Sequence, residues 1–142
     1  MPTRPPRTSA PSPVARFRLR VTAGEAIFVG PGKIALLEAI RETRSITAAA
    51  KSLGMSYRRA WVLVDEVNGS LASVAVESAI GGEHGGGSTL TALGVELIDV
   101  YRRIEATATR ACAKDIARLL ELATPPSRAR ASAPRRRSRS TP

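Results

Sequence analysis

Residues 45–69, SITAAAKSLGMSYRRAWVLVDEVNG, contain two short helical patterns separated by a glycine. Ser45 can cap the first helix, and Gly54 supplies its C-terminal stop. Ser56 can cap the second helix, whose apolar residues recur at helical spacing. Two short helices joined by a tight turn are typical of a helix-turn-helix motif. The predicted helices cover residues 46–53 and 57–68.

The segment before this motif predicts one more helix and a short strand. An amphipathic helix is expected over residues 33–41, where isoleucine and leucine recur every three residues. Arginine and apolar residues alternate over residues 16–21, which is typical of an edge strand, and a turn is expected at residues 23–25. Residues 1–15 are rich in proline and arginine, so we expect a disordered tail there.

A β-hairpin is predicted directly after the motif. Residues 74–78 and 88–90 have strand-like composition, and the sequence GGEHGGG at residues 81–87 makes a flexible loop between them. A helix-turn-helix followed by such a hairpin is typical of a winged helix. We therefore expect a mainly α fold with a small β-hairpin, in which a winged helix-turn-helix domain spans residues 16–91.

A long last helix is predicted over residues 92–122, and Thr91 can provide its N-cap. Its apolar residues follow one seam, at spacings of three and four residues. A helix of about 30 residues extends about 45 Å, which is longer than one small domain can cover, so we expect a partner helix and a homodimer. Residues 123–142 are rich in arginine and are expected to be disordered. The predicted dimerisation residues are Tyr101, Ile104, Ala108, Cys112, Ile116 and Leu119.

The net charge of +10 is concentrated in the two ends of the chain. Residues 1–30 hold five Arg and one Glu, and residues 123–142 hold six Arg and no acidic residue. Residues 31–122 hold 11 basic and 11 acidic residues, as in an ordinary globular domain. Double-stranded DNA is a polyanion that fits such basic ends, and the alternative is that the ends are only solvated tails.

Residue counts exclude several functional classes. One cysteine cannot form an intramolecular disulfide framework, and one cysteine with one histidine cannot build a zinc site on those ligands. The longest apolar run, residues 60–64, is far too short to span a membrane. The sequence HGGG at residues 84–87 superficially matches an esterase oxyanion loop, but no Gly-x-Ser-x-Gly motif accompanies it. We therefore expect no enzyme activity, no metal, no cofactor and no membrane contact.

The second helix of the motif carries the candidate DNA-contacting residues in its first turn. At about 100° per residue, Ala60 and Val64 lie on one face, Arg58 lies almost opposite, and Arg59 and Tyr57 lie to either side. A recognition helix contacts base edges through its N-terminal residues, and an arginine pairs with guanine through two hydrogen bonds. Arg58 is therefore the leading candidate for base contact and Arg59 the second. The alternative is that both arginines only cover a solvated helix.

Other residues are candidates for contacts with the DNA backbone. Helix ends beside a recognition helix cross the phosphates, and glycines in a wing let backbone N–H groups approach them closely. Each lysine or arginine at a helix end is equally compatible with plain solvation. Trp61 lies on the flank of the apolar face, so we expect it to pack in the core. The full set expected to contact DNA is Ser56, Tyr57, Arg58, Arg59, Lys33, Arg44, Lys51, His84, Gly85 and Gly86.

Five stretches carry a resemblance to a known family: SITAAAK (45–51), MSYRRAW (55–61), EVN (66–68), the glycine-rich loop and LTALG (90–94). They resemble the N-terminal DNA-binding half of the ModE-type molybdate-dependent transcriptional regulators, whose helix-turn-helix is similar to that of the LysR-type regulators. The resemblance covers about residues 16–120. It implies a winged-helix DNA-binding protein that dimerises partly through the helix after the wing.

The resemblance also bears on ligand sensing. The family's molybdate-binding domains would follow the long helix, whereas this sequence ends 20 residues after it in an arginine-rich tail. We therefore expect no ligand-sensing domain in this polypeptide. The leading hypothesis is a homodimeric, sequence-specific transcriptional regulator in the cytoplasm. The alternatives are a dimerising adaptor that pairs with a full-length regulator of the same family, and a non-specific nucleic-acid binder that acts through its basic ends.

Overall fold

The computed structural model describes residues 11–78 and 87–123, and the chain divides into two units. One unit, the winged unit, spans Phe17–Arg110, and the other contains the last helix. The architecture is mainly α-helical, with a helix-turn-helix formed by the helices Ile46–Ser52 and Tyr57–Ser70 and a wing formed by the strands Val76–Ser78 and Ser88–Leu90, as the sequence predicts. The elements are β1 (Val21–Ala23), β2 (Ala26–Val29), α1 (Pro31–Thr43), α2 (Ile46–Ser52), α3 (Tyr57–Ser70), β3 (Val76–Ser78), β4 (Ser88–Leu90), α4 (Ala92–Ala111) and α5 (Ala113–Leu122).

Local hydrogen bonds fix the helix-turn-helix. The Oγ atom of Ser45 accepts a hydrogen bond from the backbone N–H of Ala48 at 3.1 Å and caps α2. The Oγ atom of Ser56 accepts one from the backbone N–H of Arg59 at 3.1 Å and caps α3. Between the two helices, Gly54 has a φ of 65°, a left-handed conformation in which a side chain would be strained. Both predicted caps are therefore confirmed.

The wing is an antiparallel hairpin whose base is tied to the motif. Val76 pairs with Leu90, and β3 begins two residues later than predicted. The backbone N–H of Ser88 donates to the carbonyl oxygen of Arg44 at 3.0 Å, so the base of the wing meets the turn between α1 and α2. Residues 79–86, which include most of the predicted glycine-rich loop, lie outside the described residues.

A second hairpin, formed by β1 and β2, lies where the sequence predicts one edge strand over residues 16–21. β1 begins only at Val21 and pairs with β2 across the predicted turn at Gly24. Residues 11–20 form no strand, and the backbone of Leu19 is instead engaged by α4. Its carbonyl oxygen accepts a hydrogen bond from the hydroxyl of Tyr101 at 2.8 Å. The prediction of a strand over residues 16–21 is therefore wrong.

The core of the winged unit lies where α1, α2 and α3 meet the wing and α4. Its members are apolar side chains that water does not reach, and their burial is the main stabilising contribution. A smaller cluster joins β2, α1 and α4 through Val29, Ile34 and Tyr101. The main cluster contains Leu36, Leu37, Ala39, Ile40, Ile46, Ala49, Ala50, Ala60, Val64, Val67, Ala75, Val76 and Ile98.

α4 belongs to the winged unit along nearly all of its length. The Oγ1 atom of Thr91 accepts a hydrogen bond from the backbone N–H of Gly94 at 3.2 Å, which is the N-cap that the sequence predicts. The winged unit extends to Arg110, and Ile98 and Tyr101 of α4 are buried in its core.

The helix predicted over residues 92–122 is interrupted at Cys112, where φ is −101° and ψ is 12°. α4 ends just before this residue and α5 begins just after it. No residue from 102 to 123 is fully buried, so no packing contact enforces a continuous helix. No described helix has the length and apolar character needed to cross a membrane.

Candidate nucleic-acid interface

The first turn of α3 presents the side chains of Tyr57, Arg58 and Arg59 to solvent. The opposite side of the same helix is buried, since Ala60 and Val64 pack in the core. Neither arginine forms a salt bridge with another residue of the described ranges. Each guanidinium group therefore keeps its five N–H donors for a ligand.

Ser56 fixes the turn that carries these side chains. Its Oγ atom accepts the hydrogen bond from the backbone N–H of Arg59 and so completes the first turn of α3. A hydroxyl can accept and donate at the same time, so Ser56 keeps one donor for a ligand.

Trp61 is 42% exposed, whereas the sequence predicts that it packs in the core. Its indole N–H donates a hydrogen bond to the hydroxyl of Tyr57, one turn earlier. The two aromatic side chains line a cleft of about 220 Å³ between the start of α2 and the base of the wing. The prediction is wrong because this flank of α3 faces that cleft and not another packed element.

Lys33 does not offer its ammonium group to a phosphate. The side chain is 7% exposed, its Nζ atom lies 3.0 Å from Oε2 of Glu66 on α3, and it donates to the carbonyl oxygen of Ile27 on β2. A buried ammonium group must be paired, and these two partners provide the pairing. Lys33 therefore joins α1, α3 and β2, and we leave it out of the interface.

The other residues predicted to contact the DNA backbone are either exposed or lie outside the residues that the structure describes. Arg44 is exposed and ends α1 in a left-handed conformation, with a φ of 54°. Lys51 is exposed in the last turn of α2. His84, Gly85 and Gly86 lie outside the described residues.

The predicted dimerisation residues separate into buried and accessible members. Tyr101 is 2% exposed and donates its hydroxyl to Leu19, so it belongs to the core of its own chain. Ile104 on α4 is 47% exposed, and Leu119 on α5 is 63% exposed. The half-buried members are Ala108, Cys112 and Ile116.

A basic cleft beside α3 has no counterpart among the sequence predictions. Arg18 and Arg20, from the segment before β1, and Arg59 of α3 line a volume of about 330 Å³. The alternation of arginine with apolar residues before β1 is the signal that could have identified it. Alternate residues of an extended segment lie on one side, which places these two arginines together.

Among the described residues, two groups near this region have shifted pKa values. Burial raises the pKa of Tyr101, and the negative charge of Glu105 adds to the effect, while neighbouring arginines oppose it. Hydrogen bonds to Glu38 and Glu105 raise the pKa of Arg102. Tyr101 is therefore a neutral donor, and Arg102 is a cation that links α4 to α1. Residues 11–78 and 87–123 contain no group of three or more side chains that could hold a metal ion.

No protein-family model matches the chain. It is 47% identical over 78 residues to the molybdenum-pterin-binding protein MopB of Rhodobacter capsulatus, a match that covers 55% of this chain and 29% of that protein. It is 39% identical over 87 residues to the transcriptional regulator ModE of Yersinia pestis. It is 38% identical over 87 residues to the DNA-binding transcriptional dual regulator ModE of Escherichia coli K12. Each ModE match covers 61% of this chain and 33% of the relative.

The chain thus spans about a third of the length of the curated relatives it matches. The resemblance to ModE-type regulators is confirmed for the helix-turn-helix region. The names of the ModE relatives describe regulators, in agreement with the expectation that the chain is not an enzyme. Among solved structures, the chain is similar to one in the crystal structure of the CbnR_DBD–DNA complex, with a TM-score of 0.48, 25% identity, and coverage of 62% of this chain and 95% of that chain.

Proposed function

We propose that this chain is a sequence-specific, DNA-binding transcriptional regulator that acts as a homodimer. The observation that carries the proposal is the first turn of α3, which presents Tyr57, Arg58 and Arg59 to solvent beside a wing. An exposed turn of this kind fits the major groove, where an arginine can bind O6 and N7 of guanine. The similarity to relatives named as transcriptional regulators supports it. Because the target is chromosomal DNA, the proposed location is the cytoplasm.

Different residues of this surface have different proposed roles. Arg58 points most directly away from the buried face of α3, so we assign it to a base edge. Ser56 and Tyr57 supply hydroxyl groups in the same turn. Arg44 and Lys51 are exposed at helix ends and are assigned to phosphates. We also assign backbone contacts to the wing residues His84, Gly85 and Gly86.

Selection from a library of random-sequence DNA duplexes tests the proposal. The full chain is expected to enrich a defined duplex over a scrambled duplex of the same composition. Arg58→Ala should then weaken binding to the enriched duplex by about 1–3 kcal/mol and relax the preference at one base pair. Arg103→Ala, which removes an exposed arginine from α4, is the matched control and should leave the preference unchanged. Failure to enrich any sequence, or an Arg58→Ala variant that behaves as the parent, would contradict the proposal.

Exposed apolar side chains on the last two helices support the homodimer. Ile104 projects from α4, and Leu119 and Leu122 project from α5, where no residue is buried. Apolar residues that recur at helical spacing on an exposed helix are typical of a surface that a partner helix covers. A two-fold dimer then predicts two half-sites in the DNA, spaced by whole helical turns.

Two other functions remain as alternatives. The exposed apolar residues of α4 and α5 also favour a dimerising adaptor, which would co-purify with a longer regulator of the same family. The positive charge at the two ends of the chain favours a non-specific nucleic-acid binder. A binder of that kind has a steep salt dependence and little sequence preference, so the enriched and scrambled duplexes would compete equally.

A further inference from the structure

The basic cleft beside α3 combines residues from two distant parts of the chain. Arg18 and Arg20 precede β1, and Arg59 lies in the first turn of the proposed recognition helix. The start of α1, at Pro31 and Gly32, completes the lining of about 330 Å³. The cleft therefore adjoins the proposed DNA-binding turn.

The segment that carries two of these arginines is held in place by the residue between them. Leu19 packs against the cluster of Val29, Ile34 and Tyr101, and its carbonyl oxygen accepts the hydroxyl of Tyr101 at 2.8 Å. The stem of Arg20 lies over Gly30, where an added Cβ would be 3.4 Å from its Cγ. Leu19 therefore holds this segment against the core. Because neighbouring side chains of an extended segment alternate, Arg18 and Arg20 lie on the opposite side.

The charges in the cleft do not cancel. Lys33 and Glu66 both line it, and they pair with each other at 3.0 Å. Arg18, Arg20 and Arg59 form no salt bridge within the described residues. Three arginines that form no salt bridge within the described residues therefore line one open cleft, and an anion is the partner that complements their charge.

We propose that this cleft binds a phosphate group of the DNA backbone beside the bases that α3 contacts. The inference rests on the proposed function and assigns different ligands to the two arginines of α3. Arg58 contacts a base, and Arg59 binds a phosphate together with Arg18 and Arg20. A guanidinium group binds phosphate through two parallel hydrogen bonds, and contacts of this kind set the register of a protein on the duplex without selecting a sequence. DNA is the occupant because the cleft is lined by Arg59, the residue next to Arg58 in the first turn of α3.

Salt-dependent binding of the full chain to the enriched and scrambled duplexes tests this assignment. Arg18→Ala, Arg20→Ala and Arg59→Ala should each weaken binding to both duplexes by the same factor. Each should also reduce the slope of log K against log salt concentration, and replacing all three arginines together should reduce it by about 1, because the cleft holds one phosphate. Arg103→Ala, which removes the same charge from outside the cleft, should change neither quantity. Arg58→Ala should instead change the preference between the duplexes.

Chemical neutralisation of single phosphates locates the contact. Methylphosphonate linkages are placed one at a time along the enriched duplex, and the positions that weaken binding of the parent chain are identified. At the position that the cleft contacts, the linkage should weaken binding less in the Arg18→Ala and Arg59→Ala variants than in the parent chain, because one partner side chain is already absent. Thermal unfolding of each variant verifies the fold, and Arg20→Gln replaces Arg20→Ala if the shorter side chain disturbs packing over Gly30.

Three results would overturn the inference. The first is an unchanged affinity and salt slope for the Arg18 and Arg20 variants. The second is a loss of preference at one base pair in the Arg59→Ala variant, which would make Arg59 a base contact. The third is stoichiometric binding of inorganic phosphate in the cleft with DNA binding unaffected by the variants. Failure of the proposed function gives a different result from failure of this inference. The parent chain would then show no sequence preference, whereas the cleft variants would still have smaller slopes of log K against log salt concentration.

Discussion

Tyr101 connects the core to the segment that carries the basic cleft. The side chain is buried, and its hydroxyl donates a hydrogen bond to the carbonyl oxygen of Leu19 at 2.8 Å. The spacing of apolar residues along the helix predicted over residues 92–122 makes Tyr101 a predicted dimer contact. The same spacing, however, is found for any residue on the side of that helix that faces its own core. Its place in the core depends on the segment before β1, which a helical pattern cannot indicate.

The raised pKa of Tyr101 predicts a specific loss of stability in alkali. Burial, with help from Glu105, raises the pKa in the folded state above the usual tyrosine value of about 10. The folded state therefore holds the proton more tightly, and the resulting stabilisation is complete below pH of about 10 and is lost as the pH rises through the folded pKa. Tyr101→Phe cannot ionise, so its free energy of unfolding should fall less steeply above pH of about 10 in urea titrations.

At neutral pH the same substitution removes one hydrogen bond, so Tyr101→Phe should be about 0.5–1.5 kcal/mol less stable than the parent. Tyr57→Phe is the matched control, since Tyr57 is largely exposed. At neutral pH the control should stay within about 0.5 kcal/mol of the parent chain. Identical alkaline slopes for the parent and Tyr101→Phe would count against the assignment.

Two glycines predict opposite effects of the same substitution. A Cβ on Gly94 would lie 2.4 Å from the carbonyl oxygen of Ala75, a backbone atom that cannot easily move. Gly94→Ala should therefore destabilise the fold by about 1–3 kcal/mol, as overpacking usually does. A Cβ on Gly69 in α3 would meet nothing within 4 Å, so Gly69→Ala should stabilise the helix by about 0.4–1 kcal/mol. Melting temperatures that move in the same direction would disprove the pair.

At the level of elements, Asn68 attaches α3 to the wing. Its Oδ1 atom accepts hydrogen bonds from the backbone N–H groups of Ala75 at 2.8 Å and Val76 at 3.1 Å. Its Nδ2 atom donates to the carbonyl oxygen of Val76 at 3.1 Å. One side chain at the end of α3 thereby fixes where β3 begins, and this relation determines how the wing and the helix could meet one duplex together.

Asn68→Ala should destabilise the chain by about 1–3 kcal/mol, because buried backbone groups of β3 lose their partners. Ser70→Ala is the control, since it removes only an exposed hydrogen bond to the carbonyl oxygen of Glu66 and should stay within about 0.5 kcal/mol of the parent. Urea denaturation measures both variants. An Asn68→Ala variant as stable as the control would show that β3 does not depend on this side chain.

The elements that the sequence predicts well are those that local chemistry specifies. Ser45, Ser56 and Thr91 cap their helices through bonds to residues three positions away, and Gly54 ends a helix by its own backbone conformation. The interruption at Cys112 has no such marker, because cysteine is neither a helix terminator nor a cap. Local signals therefore define where most helices start, but not whether a helix continues.

Features that depend on distant partners are the ones that the sequence does not predict. Lys33 looks like an exposed cation at a helix start, yet Glu66 and Ile27 meet it from other elements and bury it. The basic cleft has the same origin, because Arg18 and Arg59 are 41 positions apart and are brought together only by the fold. The exposure of Tyr57, Arg58 and Arg59 can be predicted from the helical pattern of α3 alone, whereas the residues that surround this turn cannot.

On the scale of the whole molecule, charge and apolar surface are segregated. Residues 31–122 carry equal numbers of basic and acidic residues, and the excess of arginine lies before and after them. Within this neutral part, Arg58 and Arg59 are neighbours in the first turn of α3 and form no salt bridge with another described residue. The last two helices expose the apolar side chains of Ile104, Leu119 and Leu122. The molecule thus has one kind of surface suited to a polyanion and another suited to a second apolar helix.

This segregation predicts that dimerisation can be abolished without unfolding the winged unit. Ile116, Leu119 and Leu120 form one apolar stripe on α5, at helical spacing, and none of them is buried within the chain. Light scattering should give the mass of a dimer for the parent at micromolar concentration. Ile116→Glu and Leu119→Glu should give the mass of a monomer, because a carboxylate in an apolar contact loses its hydration.

The control is Lys114→Gln, which makes the same change in net charge on the opposite side of α5 and should leave the dimer intact. The circular dichroism of all three variants should match that of the parent, since the stripe contributes nothing to the core of its own chain. The monomeric variants should protect one half-site instead of two in footprints on the enriched duplex, because each subunit carries one recognition helix. A parent chain that is monomeric at micromolar concentration, both free and on DNA, would contradict the dimer.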